Sequence, residues 1–290
     1  MTIVLEGSTA RAVLLEAIRR LEEVGVPTAR QDAEWLLADL LGIRRWALYL
    51  EPERPLPAQL LDRLAGLLAR RSRGEPVQHL LGWEEFLGLT LRVNPGVLIP
   101  RPETELLVTW ALEILRRSEG SCPRAVDLGT GSGAIACVLA CELSDVTVVG
   151  VDVSRAALAV AAENVRTLGL ERRVRLVQGD LFGPLKHVSA DLVIANPPYI
   201  PSGDLDTLPV AVRKYEPRLA LDGGPDGMAF HRRIVEAAPS YLRAGGWLLM
   251  ECGDRQAGAI AEQLAAAGLG AIEVRRDLQG RNRMVGARSP

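Results

Sequence analysis

From about Glu103 to the end of the chain, short apolar runs of strand length alternate with segments of helical periodicity. The candidate strands are Ala125–Leu128, Val146–Val151, Val174–Gln178, Leu192–Ala195, Trp247–Glu251, Ile272–Arg276 and Arg283–Ala287. Helical patterns separate the first five, whereas the last two have no helix between them and are predicted to be antiparallel neighbours. This alternation favours a doubly wound α/β sheet, which binds ligands at the carboxyl ends of its strands.

The residues from 11 to 73 follow a different pattern, because their apolar positions recur only at helical spacing. Gly and Pro residues interrupt the pattern between the periodic segments. Three amphipathic helices are predicted, over residues that include Leu14–Leu21, Ala33–Leu41 and Leu60–Leu68. The N-terminal region is therefore predicted to be a small helical bundle.

Between these two regions, the segment from Phe86 to Val93 alternates and ends at Asn94-Pro95-Gly96, which is a strong turn signal. Val97–Ile99 follows as a second short apolar run. We therefore predict a β-hairpin whose turn lies at residues 94–96. The predicted organisation is a helical domain over residues 1–74, a hairpin linker over 75–102 and an α/β domain over 103–290.

The bulk composition limits the class of function. Lys and Arg number 34 against 36 Asp and Glu, so the formal net charge is −2 and direct nucleic-acid binding is not expected. The four cysteines form no C-x-x-C pair and no histidine cluster accompanies them, so no metal site is expected. No apolar run reaches membrane-spanning length, and no signal-peptide pattern opens the chain, which predicts a cytoplasmic protein without membrane contact.

A glycine-rich loop from Asp127 to Ala134 follows the first candidate strand and opens a helical segment. Glycines let the backbone approach a ligand closely, and the helix N-terminus offers free N–H groups. The loop also satisfies the dinucleotide fingerprint, so by itself it fits either NAD or S-adenosylmethionine. Asp152 follows the next strand, where a carboxylate can bind the ribose hydroxyls of either cofactor. The candidate cofactor contacts in the loop are Gly129, Thr130, Gly131, Ser132 and Gly133.

Two features favour S-adenosylmethionine. Asp127 precedes the first glycine, where it can orient the loop or meet a ligand amino group, and Gly133 leaves room for a bulky non-phosphate ligand. Asp180 ends the third strand and can hold an adenine by its amino edge. Leu181 and Phe182 follow it, and they either pack on the face of the base or belong to the core.

The most specific signal is Asn196-Pro197-Pro198-Tyr199, directly after the fourth strand. A planar amide or exocyclic amino nitrogen is a poor nucleophile, because its lone pair is delocalised. The Asn196 side-chain oxygen can accept one of its hydrogens and the Pro197 carbonyl the other, while the prolines stiffen the loop. Tyr199 can stack on the planar group. The pattern predicts methylation of such a nitrogen by positioning and electrostatics rather than by strong acid–base chemistry.

With these residues in view, the chain resembles the HemK/PrmC family of protein-(glutamine-N5) methyltransferases over most of its length. The string Arg101-Pro102-Glu103-Thr104-Glu105 is more specific to that family than the glycine loop, which related methyltransferases share. The other matching segments are Gln78–Gly82, Glu85–Leu89, Val97–Pro100, Asp127–Ala136, Asn196–Ile200, Tyr215–Pro217, Ala220–Leu221, Gly224–Gly227, Gly245–Gly246 and Glu251–Gly253.

The resemblance implies an α/β fold with a seven-stranded, Rossmann-like S-adenosylmethionine methyltransferase domain. A small helical-bundle domain, which would dock the substrate, and a β-hairpin linker would precede it. Gly129–Gly133, Asp152 and Asn196 would contact S-adenosyl-L-methionine, and Asn196–Tyr199 would hold the substrate glutamine. The implied substrate is the Gly-Gly-Gln glutamine of class-one peptide-chain release factors. One departure concerns the residue after Asp180, where the family often has Trp and this chain has Leu181.

Other functions fit part of the pattern. A ribosomal-protein glutamine methyltransferase would share every motif. An enzyme that methylates the amino group of a nucleic-acid base could use the same Asn-Pro-Pro-Tyr loop to hold that group. A DNA enzyme of this kind must also flip its base out of the duplex. An NAD dehydrogenase fits the glycine loop but leaves the Asn196 loop unexplained, and a non-enzymatic module would bind the cofactor without turnover.

Two further sets of residues carry alternative interpretations. Arg101, Glu103 and Glu105 either form a lid over the cofactor, or Glu103 and Glu105 simply open a helix, where acidic residues are favoured by the helix dipole. His79, His187 and His231 have no second histidine at ligand spacing, so structural roles are predicted for them.

Overall fold

The computed structural model describes residues 9–117, 122–186 and 189–290. It divides into two compact units, the first reaching Gly82 and including Pro209–Tyr215, the second formed by Trp83–Leu208 and Glu216–Pro290. The predicted domain boundaries at residues 74 and 102 stay predictions, and His187 lies outside the described residues. No helix in the described ranges is both long and apolar enough to cross a membrane.

The first unit is helical, as the spacing of its apolar residues predicts. Its helices are α1 (Ala10–Glu23), α2 (Ala29–Leu41), α3 (Ala58–Arg71) and α4 (Val77–Leu81), with a 3₁₀ turn over Arg45–Tyr49. One apolar face of each long helix is buried in a common core. Asp32 of α2 accepts a hydrogen bond from Arg71 of α3 at 2.6 Å, and both side chains are nearly buried.

A two-stranded antiparallel hairpin, β1 (Trp83–Phe86) and β2 (Leu89–Arg92), opens the second unit. The hairpin prediction is confirmed, but the predicted turn position at residues 94–96 is wrong. The turn lies at Leu87 and Gly88, whose φ angles are 45° and 79°. Such a two-residue turn needs positive φ at both central positions, which Leu rarely adopts. The Leu-Gly pair was therefore not recognised as a turn in the sequence.

A seven-stranded sheet forms the centre of the second unit, in the order β5-β4-β3-β6-β7-β9-β8. Its strands are β3 (Arg124–Leu128), β4 (Thr147–Asp152), β5 (Val174–Gln178), β6 (Ala190–Ala195), β7 (Leu242–Glu251), β8 (Gly270–Arg276) and β9 (Asn282–Arg288). Every candidate strand of the sequence is therefore found, and the predicted α/β fold class is confirmed. The strands β8 and β9 are antiparallel neighbours, as predicted, and the remaining strands from β3 to β7 are parallel.

Helices cover both faces of this sheet. They are α5 (Pro102–Arg117), α6 (Ala134–Glu142), α7 (Arg155–Thr167), α9 (Ala229–Ala237) and α10 (Ala257–Ala266), while α8 (Val210–Tyr215) belongs to the helical unit. One core lies under α5 and α6, and a second lies under α9 and α10. Because the chain runs from β3 outward to β5 and then returns to β6 beside β3, the strand order reverses between β3 and β6. Open α/β sheets bind ligands at such a reversal.

Candidate active site

Three neighbouring parallel strands, β3, β6 and β7, bring their carboxyl ends to one edge of the sheet at this reversal. Leu128 of β3 pairs with Ala195 of β6, so the glycine loop and the Asn196 loop leave the sheet side by side. Ala195 also pairs with Met250, the residue before Glu251 at the end of β7. The loops after β3 and β6 are thus neighbours by strand pairing, although they are far apart in the sequence.

A cleft at this edge encloses about 810 Å³ of empty space, including its open mouth. Its mostly apolar walls with a few polar groups are typical of a small-molecule site. The predicted site residues that line it are Gly129, Gly131, Asp152, Asp180, Leu181, Asn196, Pro197 and Pro198. The predicted site residues that do not line it are Thr130, Ser132, Gly133, Phe182 and Tyr199.

The glycine loop has a ligand-facing part and a supporting part. Gly129 and Gly131 adopt φ angles of 72° and 56°, and a Cβ added to Gly129 would meet no atom within 4 Å. This backbone is therefore open to a close approach. Gly133 serves a different purpose, since its Cβ would lie 3.2 Å from Ala161, so it lets α6 pack against α7. The Ser132 carbonyl accepts a hydrogen bond from Asn164 on α7.

Asp127 is a buried residue that supports the glycine loop through a hydrogen bond. Its side chain is fully buried, and it accepts a hydrogen bond of 2.6 Å from the Thr130 hydroxyl. Burial raises the pKa of Asp127 from 3.8 to about 7, and the charge of Asp152 adds to that rise, whereas the Thr130 bond opposes it. Of the two sequence interpretations of Asp127, orientation of the loop fits this position.

Asp152 lies where the sequence predicts a ribose contact. One carboxylate oxygen accepts the Gly131 N–H at 2.9 Å, and the other accepts the Ser154 N–H at 2.8 Å. Both bonds fix the carboxylate in the wall of the cleft, and each oxygen retains a further lone pair. A fixed pair of carboxylate oxygens is suited to a vicinal diol.

The residues after β5 divide between the cleft and the core. Asp180 and Leu181 line the cleft, and an exposed ion pair of 2.6 Å joins Asp180 to Arg233. Phe182 turns away and stacks on Tyr241, with ring centroids 4.4 Å apart. Of the two interpretations of Phe182, core packing is therefore the one that its position fits, and the apolar wall of the cleft comes from other residues.

Some of those wall residues were not predicted from the sequence. The cleft is also lined by Val97, Leu98, Pro217, Leu219, Ala220 and Phe230. Val97 and Leu98 belong to the short apolar run after Asn94-Pro95-Gly96, which was assigned to the hairpin from the sequence. Pro217, Leu219 and Ala220 lie in the irregular segment between β6 and α9, where no periodicity marks an inward-facing position, and Phe230 lies in the first turn of α9. A carboxylate pair, open glycine backbone and apolar walls together fit a nucleoside.

The Asn196 loop presents two hydrogen-bond acceptors. The Asn196 amide nitrogen donates to the Thr104 hydroxyl at 3.0 Å, which leaves the amide oxygen Oδ1 directed away from Thr104. In the described part of the chain, no donor bonds to Oδ1 or to the Pro197 carbonyl. The backbone of Tyr199 is fixed by Gln256, whose side-chain amide donates a hydrogen bond of 2.8 Å to the Tyr199 carbonyl.

Glu251 lies behind this loop with only 1% of its surface exposed. One carboxylate oxygen accepts the Thr104 hydroxyl at 2.6 Å, and the other accepts the Tyr199 hydroxyl at 3.2 Å. Burial raises the pKa of Glu251 from 4.5 to about 7, against the lowering effect of both hydroxyl bonds and of the Arg283 charge. Burial likewise raises the pKa of Tyr199 far above its usual range. These groups sit 147 and 52 residues apart in sequence, so spacing did not reveal them.

The charged residues near the start of α5 do not line the cleft. Glu103 and Glu105 fall in the first turn of α5, and Glu105 accepts the Leu87 N–H of the hairpin turn at 3.0 Å. Arg101 precedes α5 and donates to the buried carboxylate of Glu216 at 2.6 Å. The helix-start interpretation therefore fits Glu103 and Glu105, and the lid interpretation stays a prediction.

The histidines and metal ligands can be assessed only for the described residues. His231 is fully buried and its ring nitrogen lies 2.9 Å from the Glu251 backbone carbonyl, while His79 is buried in the helical unit. Both positions suit structural roles. Within the described ranges, no group of three or more His, Cys, Asp or Glu residues could hold a metal ion.

Solved structures with the same architecture are methyltransferases. A T. thermophilus 16S rRNA methyltransferase in complex with AdoMet and guanosine superposes with a TM-score of 0.52, covering 72% of this chain and 50% of that one at 20% identity. The human methyltransferase 10 domain containing protein gives a TM-score of 0.52, covering 70% and 88% at 18% identity. At these identities the likeness shows the fold alone.

The sequence comparisons cover both units. Residues 12–82 match the family model described as the PrmC N-terminal domain, and residues 104–212 match the Methyltransferase small domain. A release factor glutamine methyltransferase from Geobacter sulfurreducens is 45% identical, with 97% of this chain and 96% of the relative covered. The same enzyme from Moorella thermoacetica is 44% identical, with 95% and 96% covered. This chain belongs to the release factor glutamine methyltransferase family.

Proposed function

We propose that this enzyme transfers a methyl group from S-adenosyl-L-methionine to the side-chain nitrogen N5 of a glutamine. The substrate is the glutamine of the Gly-Gly-Gln motif in class-one peptide-chain release factors. The observation that carries the proposal is the pair of open acceptors, Asn196 Oδ1 and the Pro197 carbonyl, on two residues that line the cleft beside Asp152 and the open glycine backbone. The names of the relatives support the choice of release factors. A cytoplasmic location, required by this substrate, stays a prediction.

The cofactor assignment follows from what lines the cleft. Asp152 would accept hydrogen bonds from both ribose hydroxyls, and Asp180 would accept one from the adenine amino group. Gly129 and Gly131 would let the backbone approach the amino-acid portion of the cofactor. When bound, S-adenosylmethionine supplies an electrophilic methyl group on a sulfonium centre.

The protein's part in the chemistry is to present the glutamine nitrogen. Asn196 Oδ1 and the Pro197 carbonyl each accept one N–H, which holds the amide and directs the lone pair of its nitrogen at the methyl carbon. S-adenosylmethionine would supply the methyl carbon to which this nitrogen bonds, the electron pair of the broken carbon–sulfur bond would stay on sulfur, and one N–H proton would pass to solvent. The two acceptors also stabilise the positive charge that develops on nitrogen.

A panel of substrates tests this function. The enzyme is incubated with labelled S-adenosylmethionine and, separately, a release factor, ribosomal proteins and ribosomal RNA. We expect label on the release factor and none on a release factor whose Gly-Gly-Gln glutamine is replaced by asparagine. Label on ribosomal proteins or RNA instead would assign the site to one of the competing substrates.

The helical unit is proposed to dock the protein substrate. Trp46, Tyr49 and Leu50 expose 61%, 55% and 68% of their surface on the 3₁₀ turn of that unit. Exposed aromatic residues that carry binding energy are typical of protein interfaces. Replacing Trp46 by alanine is therefore expected to raise KM for an intact release factor by about tenfold, equivalent to roughly 1.4 kcal/mol.

Two controls separate docking from chemistry. The KM of Trp46→Ala for a short Gly-Gly-Gln peptide should equal that of the wild type, because the peptide lacks the parts of the release factor that are proposed to contact the helical unit. Leu278→Ser, at a residue of the second unit that is 89% exposed, should change neither value. An unchanged KM for the intact release factor in Trp46→Ala would place docking elsewhere.

A further inference from the structure

Behind the Asn196 loop, hydrogen bonds join four side chains in one row. Asn196 donates to Thr104, Thr104 donates to Glu251, and Tyr199 donates to the other oxygen of Glu251. Thr104 and Glu251 are 5% and 1% exposed, so water does not compete for these bonds. Neither residue lines the cleft, and the chemistry described above assigns neither of them a role.

The direction of these bonds follows from counting hydrogens. A carboxylate has acceptors only, so both hydroxyl hydrogens must point at Glu251. Thr104 has one hydroxyl hydrogen, and once that hydrogen is given to Glu251 its oxygen can only accept. The group that faces Thr104 from Asn196 must then be the NH₂ end of the amide. The amide oxygen is thereby turned to the opposite side, where Asn196 lines the cleft.

We propose that Glu251 and Thr104 act as positioning residues that set the orientation of the Asn196 amide, with its oxygen toward the substrate nitrogen. The reversed amide would present a donor to another donor and could not hold the glutamine. The relay sets the polarity of the site without touching substrate or cofactor. This inference rests on the proposed function only where it names the glutamine nitrogen as the group that donates to the amide oxygen of Asn196.

The charge on Glu251 decides the direction of the relay. The charge of Glu103 raises the pKa of this carboxyl and that of Arg283 lowers it, Tyr199 donates to the carboxylate, Cys252 is the next residue in the chain, and His231 bonds to the backbone carbonyl of Glu251. Burial raises the pKa of Glu251 to about 7, so the carboxylate is charged above that pH and protonated below it. A protonated Glu251 has one donor of its own and no longer forces the Thr104 hydroxyl toward it.

Single-turnover methyl transfer at saturating cofactor provides the first test. Thr104→Val removes the hydroxyl at constant shape and should slow transfer by roughly tenfold, whereas Thr104→Ser should restore the wild-type rate. Thr109→Val is the matched control, because the hydroxyl of Thr109 lies on the same helix and donates to the backbone carbonyl of Glu105 rather than to Glu251. The cofactor dissociation constant should be unchanged in all three variants. Equal rates in Thr104→Val and the wild type would overturn the proposal.

The pH dependence provides a signature that a merely structural role would not give. The wild-type rate should rise with pH through about 7, as Glu251 loses its proton. Glu251→Gln carries a permanent donor, so its rate should be low and flat over the same range. The pKa of Asp127 is also raised to about 7, so its protonation could alter cofactor affinity over the same pH range. At saturating cofactor such a change in affinity does not affect the measured rate. A rise near neutral pH that persists in Glu251→Gln would contradict the relay.

A measurement without substrate separates this inference from the proposed function. In protein labelled with ¹⁵N at asparagine, one side-chain N–H of Asn196 should exchange slowly because it is bonded to Thr104. That protection should be lost in Thr104→Val and Glu251→Gln and kept in Thr104→Ser. If the wild type fails to methylate a release factor but shows this protection pattern, the proposed function fails and the relay stands. Fast exchange in the wild type would overturn the relay whatever the substrate.

Discussion

Replacing Asn196 by alanine is expected to slow methyl transfer by about a hundredfold, because one of two positioned acceptors is lost. Removing one such acceptor from a preorganised site costs about 3 kcal/mol in the transition state. The cofactor dissociation constant should change much less, since Asn196 is one of many residues that line the cleft. Single-turnover assays on a release factor measure the transfer step, and calorimetry measures cofactor affinity.

Pro198→Ala is the matched control for this prediction. Pro198 also lines the cleft, but its side chain offers no acceptor, so its replacement should affect transfer far less than the loss of Asn196. A near-normal transfer step in Asn196→Ala, accompanied by a weakened cofactor affinity, would show that the loop is only a wall of the cofactor site.

The Asn196→Asp variant keeps an acceptor at the same position and removes the donor. A carboxylate keeps an acceptor for the substrate but has no N–H to donate to Thr104. It also adds a negative charge near the buried Glu251. We expect an activity between those of the wild type and Asn196→Ala. This result would not by itself identify glutamine as the substrate, because a carboxylate also suits an exocyclic base amine.

Replacing Asp152 by alanine is expected to weaken S-adenosylmethionine binding by roughly 1.5–3 kcal/mol, or about ten- to a hundredfold in Kd. Part of the loss comes from the missing ribose contacts and part from the Gly131 and Ser154 N–H groups that Asp152 holds. Asp152→Asn retains one acceptor oxygen, and its loss of affinity should be intermediate. Calorimetry with the purified full chain provides the measurement.

Asp145→Ala is the control for charge alone, because Asp145 is an exposed residue just before β4. Its cofactor affinity should match that of the wild type. An unchanged affinity in Asp152→Ala, or tight binding of NAD by the wild type, would refute the assignment of Asp152.

The α/β unit could be predicted well because its strands are short, apolar and separated by helices. Each candidate strand was found, and the carboxyl ends of parallel strands necessarily meet at one edge. That rule brought Gly129, Asp152 and Asn196 together from sequence alone. The hairpin turn at Leu87 was missed because its conformation opposes the preference of the residue that adopts it.

The part of the site that was not predicted depends on side-chain direction and on long-range pairing. Phe182 follows Asp180 by two residues, yet it faces the core, because the chain turns at Leu181 with a φ of 48°. Thr104 and Glu251 belong to recognised strings, but only tertiary structure shows that they share a hydrogen bond. Motif residues behind a site are therefore as informative as those that line it.

The Asn196 loop is expected to present a glutamine side chain for methylation. Tandem mass spectrometry of a release factor, after incubation with the enzyme and S-adenosylmethionine, tests this directly. We expect one added methyl group, located on the side-chain nitrogen of the Gly-Gly-Gln glutamine, and none when Asn196→Ala is assayed over the same short time. A methyl group on any other residue, or an unmodified release factor with the wild-type enzyme, would contradict it.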